Sequence, residues 1–246
     1  MRCAAAGRGA LMAALAALAT LVPVSRATAQ GLAPLAGAGD TLPAAWQFRG
    51  LPQQQLPRTA YGVVRQDGAA VLRIEARGSY GNLVHTLPAG STAQRLAWRW
   101  RVEQPNPQAD LRSKAGDDNA VKVCLLFDLP LDAVPFVERQ LLRLARSRSD
   151  ELLPAATLCY TWDARLPAGT LLDNPYSRRV RSIVLRGAET APGRWQAETR
   201  DVAADFLRAF GDEARSVPPL LAVAVAGDAD NTGGTSLAFV ADLALD

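Results

Sequence analysis

Beyond residue 43 the chain repeatedly alternates apolar and polar residues in short runs, and Gly, Pro, Asn or Asp separate one run from the next. A period of two buries one face of a strand and wets the other, whereas a helix needs apolar residues every three or four positions. Eleven segments fit the strand pattern: Trp46–Phe48, Tyr61–Arg65, Ala70–Ala76, Asn82–Leu87, Leu96–Glu103, Ala120–Asp128, Thr157–Trp162, Val180–Arg186, Trp195–Arg200, Leu220–Ala226 and Leu237–Leu245. In Leu96–Val102, for example, Leu96, Trp98, Trp100 and Val102 share one face, and Arg99 and Arg101 take the other. Two segments break the rhythm. Val134, Val137, Leu141, Leu144 and Ala145 form a helical stripe with Arg139, Arg143 and Arg146 mostly outside it, and 202–210 carries Phe206 and Phe210 four apart before Gly211. So many strands and so few helices predict an all-β, mainly antiparallel sandwich of two sheets with two short helical insertions. A dinucleotide-binding fold is excluded, because helices do not alternate with strands and no Gly-x-Gly-x-x-Gly follows the first strand.

The opening residues have a different logic. Arg2 and Arg8 precede the apolar run Ala10–Val22, and Ala27-Thr28-Ala29 supplies small residues of the kind signal peptidase accepts. The pattern predicts a signal peptide over 1–29, a flexible lead-in over 30–40 and one sandwich domain over 41–246. The apolar run is short for a bilayer and Pro23 interrupts it, and the mature chain has no later stretch of spanning length. The expected location is periplasmic or secreted.

Removing 1–29 also removes the charge. The whole chain has 27 Lys plus Arg against 24 Asp plus Glu. Arg2, Arg8 and Arg26 account for the excess, so the mature chain is near neutral and the basic balance does not point to nucleic acid. Two cysteines remain, Cys124 and Cys159, each on the opposite parity from the bulky residues of its strand. A cross-strand disulfide and two buried thiols both fit that placement.

Several landmarks occur in a fixed order: Leu96-Ala97-Trp98-Arg99-Trp100-Arg101-Val102, Asp117-Asp118-Asn119-Ala120, Tyr160-Thr161-Trp162, Trp195 with Glu198-Thr199-Arg200-Asp201-Val202, Asp205-Phe206, Phe210-Gly211, and Asp228-Ala229-Asp230-Asn231-Thr232-Gly233. Their order resembles the DUF3047 family of exported bacterial proteins over nearly the whole mature chain. That resemblance implies export but no assigned activity. The segmentation is also similar to jelly-roll carbohydrate-binding modules and to laminarinase-like or lyase-like sandwiches, an analogy of fold.

The candidate site residues lie in the loops. Asp228, Asp230 and Asn231, on a turn with Gly233, can converge oxygen ligands on a structural Ca²⁺, although Val240 stands where an EF-hand needs its Glu. The same residues are ordinary turn formers. Asp117 and Asp118 precede a central strand and can orient a sugar hydroxyl, join the later acids around a cation, or serve acid-base chemistry. Trp98 and Trp100 are assigned to the core. Trp162 is the better ligand candidate, since it ends its strand beside Asp163 and precedes a stretch containing Asn174 and Tyr176. Arg200, with Asp201 at a strand end, is a candidate ligand contact whose leading reading is an ion pair. His85 stands alone, too few for a histidine-based zinc site, and no nucleophile elbow or phosphate loop occurs.

Together these features predict recognition of a glycan or another envelope ligand without catalysis. The alternatives are a carbohydrate hydrolase or lyase using Asp117, Asp118 or another loop carboxylate with Tyr160, and a structural or protein-interaction component of the envelope.

Overall fold

A computed structural model describes Met1 and residues 31–36, 39, 41–148 and 153–246. Apart from Met1, the predicted signal peptide and its cleavage site therefore lie outside the described residues. Twelve strands and two α-helices follow in the order β1 (Trp46–Arg49), β2 (Ala60–Gln66), β3 (Ala69–Arg77), β4 (Asn82–Ser91), β5 (Arg95–Gln104), β6 (Lys122–Phe127), α1 (Phe136–Arg146), β7 (Ala156–Trp162), β8 (Leu171–Asn174), β9 (Ser177–Arg186), β10 (Gln196–Asp201), α2 (Val202–Phe210), β11 (Leu220–Ala226) and β12 (Thr235–Leu245). They form a seven-stranded sheet ordered β1-β4-β11-β6-β7-β9-β8 and a five-stranded sheet ordered β10-β5-β12-β3-β2. Every strand pair is antiparallel except β7 with β9. The result is a jelly-roll-like β-sandwich, and all eleven expected strands are present.

Residue parity decides which side chains enter the core. Trp98 and Trp100 of β5 meet Tyr160 and Trp162 of β7 across the sandwich, with ring centroids 5.3 Å (Trp98 to Tyr160) and 5.9 Å (Trp100 to Trp162) apart. Val123, Leu125 and Phe127 of β6 and Val223 and Val225 of β11 fill the same layer. The alternate residues of these strands, Cys124, Leu126, Cys159, Ala222 and Ala224, form a separate cluster on the outer face of the seven-stranded sheet. Cys124 and Cys159 stand directly opposite each other and are joined in a disulfide, which resolves the alternative left by the sequence.

Helix α2 follows the expected capping logic. The Asp201 carboxylate accepts the Ala204 N–H at 2.9 Å, and Phe206 and Phe210 are buried. Helix α1 does not. Its apolar stripe points outward, with Val137 68% and Leu141 62% exposed, while Leu142 and the half-buried Glu138 face inward. The cause lies in β9, where the buried Arg179 draws in the Glu138 carboxylate at 2.6 Å. Glu213 is shared between the buried Arg179 and Arg181, so Glu138 adds a further anion to a buried cationic pair, a gain that offsets a few solvated aliphatic side chains.

The expected lead-in is also partly docked. Leu35 is buried, the Ala33 N–H donates to His85 Nε2 at 3.0 Å, and Trp46 Nε1 donates to the Ala33 carbonyl at 3.0 Å. His85 is thereby given a structural partner.

Candidate functional site

The outer face of the seven-stranded sheet forms the floor of a cleft of about 750 Å³. Its floor carries Val84 and Thr86 from β4, Ala224 from β11, the disulfide, and Thr157 and Ser182 from β7 and β9. Leu142 and Ala145 of α1, with Leu153 and Pro154, wall one side, and Arg49–Pro52 and Tyr80 stand at another. This volume falls within the range of small-molecule sites.

The polar end of the cleft is made where β6 starts and β11 stops. Asp228 follows β11 after a single residue, Gly227. Its carboxylate accepts the Asn119 N–H at 2.6 Å and the Lys122 ammonium at 2.6 Å, while its own N–H donates to the Asn119 carbonyl at 2.9 Å. The two chains approach closely here because residue 227 is glycine: a Cβ would lie 2.7 Å from the Ala120 carbonyl oxygen. One turn further on, Asp118 accepts the N–H groups of Asn231 (3.0 Å) and Thr232 (2.9 Å) and the Thr232 hydroxyl (2.5 Å). Asp118 and Asp228 thus bracket two loops that are far apart in sequence.

Two carboxylates remain beside the cleft. Asp117 accepts the Asn174 amide at 2.6 Å, bringing β8 to the same end. Burial raises its pKa, with Asp228 and Asp118 adding to the rise and Lys122 and Asn174 opposing it. Asp230 has a buried Oδ1 with no hydrogen-bond partner, and burial together with the Asp228 charge pushes its carboxyl up to about 6. Burial works against the Lys122 ammonium, but the carboxylates of Asp228 and Asp117 outweigh it and hold its pKa above the ordinary lysine range. Thr161, paired across the strands with Lys122, is 1% exposed, and its Oγ1 also lacks a partner. Tyr176 closes the rim. Its hydroxyl donates to Asn231 Oδ1 at 2.7 Å, and Lys114 Nζ rests 5.1 Å from its ring centroid.

The cleft therefore gathers Asp117, Asn174, Asp228, Asp230 and Asn231, with Asp118 holding Asn231 in place; the other candidates do not line it, although Trp162 and Asp163 share a small hollow with Asp118. Tyr160 and Trp162 face the core, because the parity that puts Cys159 and Thr161 on the outer face puts these aromatics on the inner one. The Tyr160 hydroxyl donates to Asp205 at 3.0 Å, and Arg200 grips the same carboxylate at 2.7 and 2.8 Å. Arg200 is thus a structural partner of Asp205 and touches neither loop acid. Asp163 is buried and caps its own turn, accepting the N–H groups of Arg165 and Leu166 at 2.7 and 2.5 Å. A pairing of Tyr160 with Asp117 is ruled out by the sheet that lies between them.

At the proposed metal turn, Asp228 is engaged by Lys122 and Asn231 Oδ1 by Tyr176. Among the described residues no group of three or more His, Cys, Asp or Glu is placed to hold a metal ion.

Sequence reasoning missed Lys122 and Thr161, although a signal for both was present. Each shares the parity of the neighbouring cysteine and so belongs to the outer face.

Asp230 offers a direct check of this geometry. Its folded pKa lies near 6, above the value of about 3.9 for an unfolded Asp. Between those values the folded state binds more protons, so the penalty of the ionised carboxylate grows as pH rises and is complete above pH 6. Asp230→Asn is therefore expected to raise stability near pH 7.5 by less than about 1 kcal/mol, given partial solvent screening. The gain should vanish near pH 4. Thermal melts at the two pH values measure it, and a gain of equal size at both would contradict the assignment.

Comparison with solved structures finds sandwiches of similar length. A family 11 carbohydrate-binding module from Clostridium thermocellum, in complex with a β-1,3-1,4-mixed-linked tetrasaccharide, is 7% identical, with 82% of this chain and 89% of that one covered and a TM-score of 0.39. A family 29 carbohydrate-binding module is 11% identical, with coverages of 87% and 90% and a TM-score of 0.36. The endoglucanase 3 of Trichoderma harzianum, from family GH12, is 11% identical, with coverages of 83% and 99% and a TM-score of 0.39. No curated protein sequence matches the chain. The model of DUF3047, described as a protein of unknown function, matches residues 44–244, and the chain belongs to that family.

Proposed function

We propose that this is an exported, non-catalytic recognition domain that binds a glycan in the cleft over the seven-stranded sheet. The observation that carries this reading is the cleft itself: a floor bearing the Thr86, Thr157 and Ser182 hydroxyls leads to an end with three carboxylates, an ammonium, Asn82, Tyr80 and Tyr176. Hydroxyls, amides and carboxylates in a partly dry groove match the donors and acceptors of a sugar, while Val84, Ala224 and the disulfide can lie against its C–H faces. The tryptophans contribute nothing to this surface. Trp46, Trp98, Trp100 and Trp162 are buried, and Arg99 and Arg101 cover Trp195 at 5.2 and 5.5 Å from its ring centroid. The amino-terminal pattern of charge and apolar residues and the disulfide both favour an oxidising compartment outside the cytoplasm. No described helix is long and apolar enough to cross a membrane.

An oligosaccharide panel tests the proposal. Saturable binding is expected, and Ser182→Trp, which fills the floor, should weaken it at least about tenfold, equivalent to about 1.4 kcal/mol, with the melting temperature retained. A panel with no saturable binding would refute the reading. One observation favours an enzyme instead: a carboxyl titrating near 6 is suited to general acid catalysis. Release of reducing ends from a polysaccharide, lost in Asp230→Asn, would establish that alternative.

A further inference from the structure

We propose that the polar end of the cleft is a site for a ligand's primary ammonium group, so that the glycan it takes is built of free amino sugars. This rests on the reading of the cleft as a glycan site and adds the chemical class of the sugar.

Two polar atoms at this end await a partner: the buried Asp230 Oδ1 and the Thr161 Oγ1 of a side chain that is almost wholly enclosed. Both residues line the cleft. Asp117 uses one carboxylate oxygen for Asn174, and a carboxylate can accept more than one hydrogen bond. All three are acceptors, although the threonine can also donate. A sugar hydroxyl brings one donor to such a place; an ammonium brings three.

The charge balance points the same way. Three carboxylates, those of Asp117, Asp228 and Asp230, line the cleft with Lys122, whose ammonium is already bonded to Asp228. Lys114 lies over the Tyr176 ring and Arg49 donates to Gln47, and Lys122 is paired with Asp228, so Asp117 and Asp230, which share no ion pair among the described residues, are a local excess of carboxylate. A neutral hydroxyl leaves that excess in place, an N-acetyl group removes the charge that would offset it, and a uronate adds to it. Hydrogen bonds between an ammonium and a carboxylate are roughly twice as strong as neutral ones.

Calorimetry near pH 7 on the secreted chain, with four hexasaccharides as probes, decides the matter. The probes are β-1,4-linked glucosamine, its N-acetylated counterpart, β-1,4-linked glucose and a uronate. The glucosamine hexamer is expected to bind at least about tenfold more tightly than the others. Asp230→Asn should remove most of that preference, lowering the affinity for the glucosamine hexamer more than that for the glucose hexamer. Equal or tighter binding of the neutral, acetylated or uronate hexamer would overturn the ammonium site and leave the glycan reading standing. Binding of none of the four, and of nothing else in a wider panel, would overturn both.

Discussion

Replacing Glu213 by Ala is expected to lower the stability of the fold by about 3–5 kcal/mol, the usual cost of removing one partner from a buried ion pair. Glu213 is 4% exposed in its side chain and lies between two guanidiniums that are themselves buried. Arg179 donates to both of its oxygens at 2.6 Å, and Arg181 donates to Oε1 at 2.5 Å. Arg181 also donates to the Ala209 carbonyl at the end of α2 and to Asp212 at 2.6 Å, and its guanidinium lies 4.4 Å from the Phe210 ring centroid. The cationic pair therefore completes the carboxyl end of α2, where the helix dipole favours positive charge. Without Glu213, Arg179 keeps Glu138 and Arg181 keeps Asp212, but the anion that joins the two is gone. Glu213→Gln retains acceptor capacity and should cost less than Ala. Because Arg179 lines the cleft, the Ala variant should also perturb ligand binding from the end opposite the acids. Urea unfolding of the three proteins measures the effect; a loss below about 1 kcal/mol would mean that Asp212 and Glu138 suffice.

That network marks where the sequence stops being readable. Strands were legible because alternation is a local property, and β5 or β7 needs no partner to display it. The exception, β8, is a four-residue edge strand, Leu171-Leu172-Asp173-Asn174, whose sequence has no clean alternation. Helix α1 was legible as a helix but not in its orientation. Its apolar stripe predicts one inward face, yet the face chosen is the one that brings Glu138 to Arg179, and nothing near α1 in sequence announces a buried arginine on β9. The site behaves similarly. Acid-rich loops at 117–119 and 228–231 could be picked out, but which carboxylates bracket the loops and which face the cleft depends on contacts across more than a hundred residues. For Tyr160 and Trp162 the answer was present in the strand itself. Aromatic bulk on one parity and Cys on the other already separates the core face from the outer face, and the attraction of a tryptophan beside an aspartate obscured it.

Loss of the Cys124–Cys159 disulfide is expected to cost roughly 4 kcal/mol, from the entropy of closing a loop with a sequence separation of 35. The intervening chain includes α1 and a long connection on either side of it, so without the bond the unfolded state regains the freedom that the link removes. Both cysteines are buried, at 4% and 3% exposure. Mature protein unfolded without reductant should present no free thiol, and two after reduction; two before reduction would refute the bond. A Cys124→Ala, Cys159→Ala variant within about 1 kcal/mol of the parent would show that the β6–β7 pairing holds without it. The consequence reaches the ligand site. Lys122 and Thr161 pair two residues along the same strands, so the disulfide fixes the register that sets the ammonium and the unpartnered hydroxyl side by side. Since a slip of one residue would turn both away from the cleft, the double variant should lose glycan affinity as well as stability. Affinity measured well below its melting temperature separates the two effects: retained affinity would make the bond a staple of the fold alone, and a loss of about tenfold or more would make it part of the site.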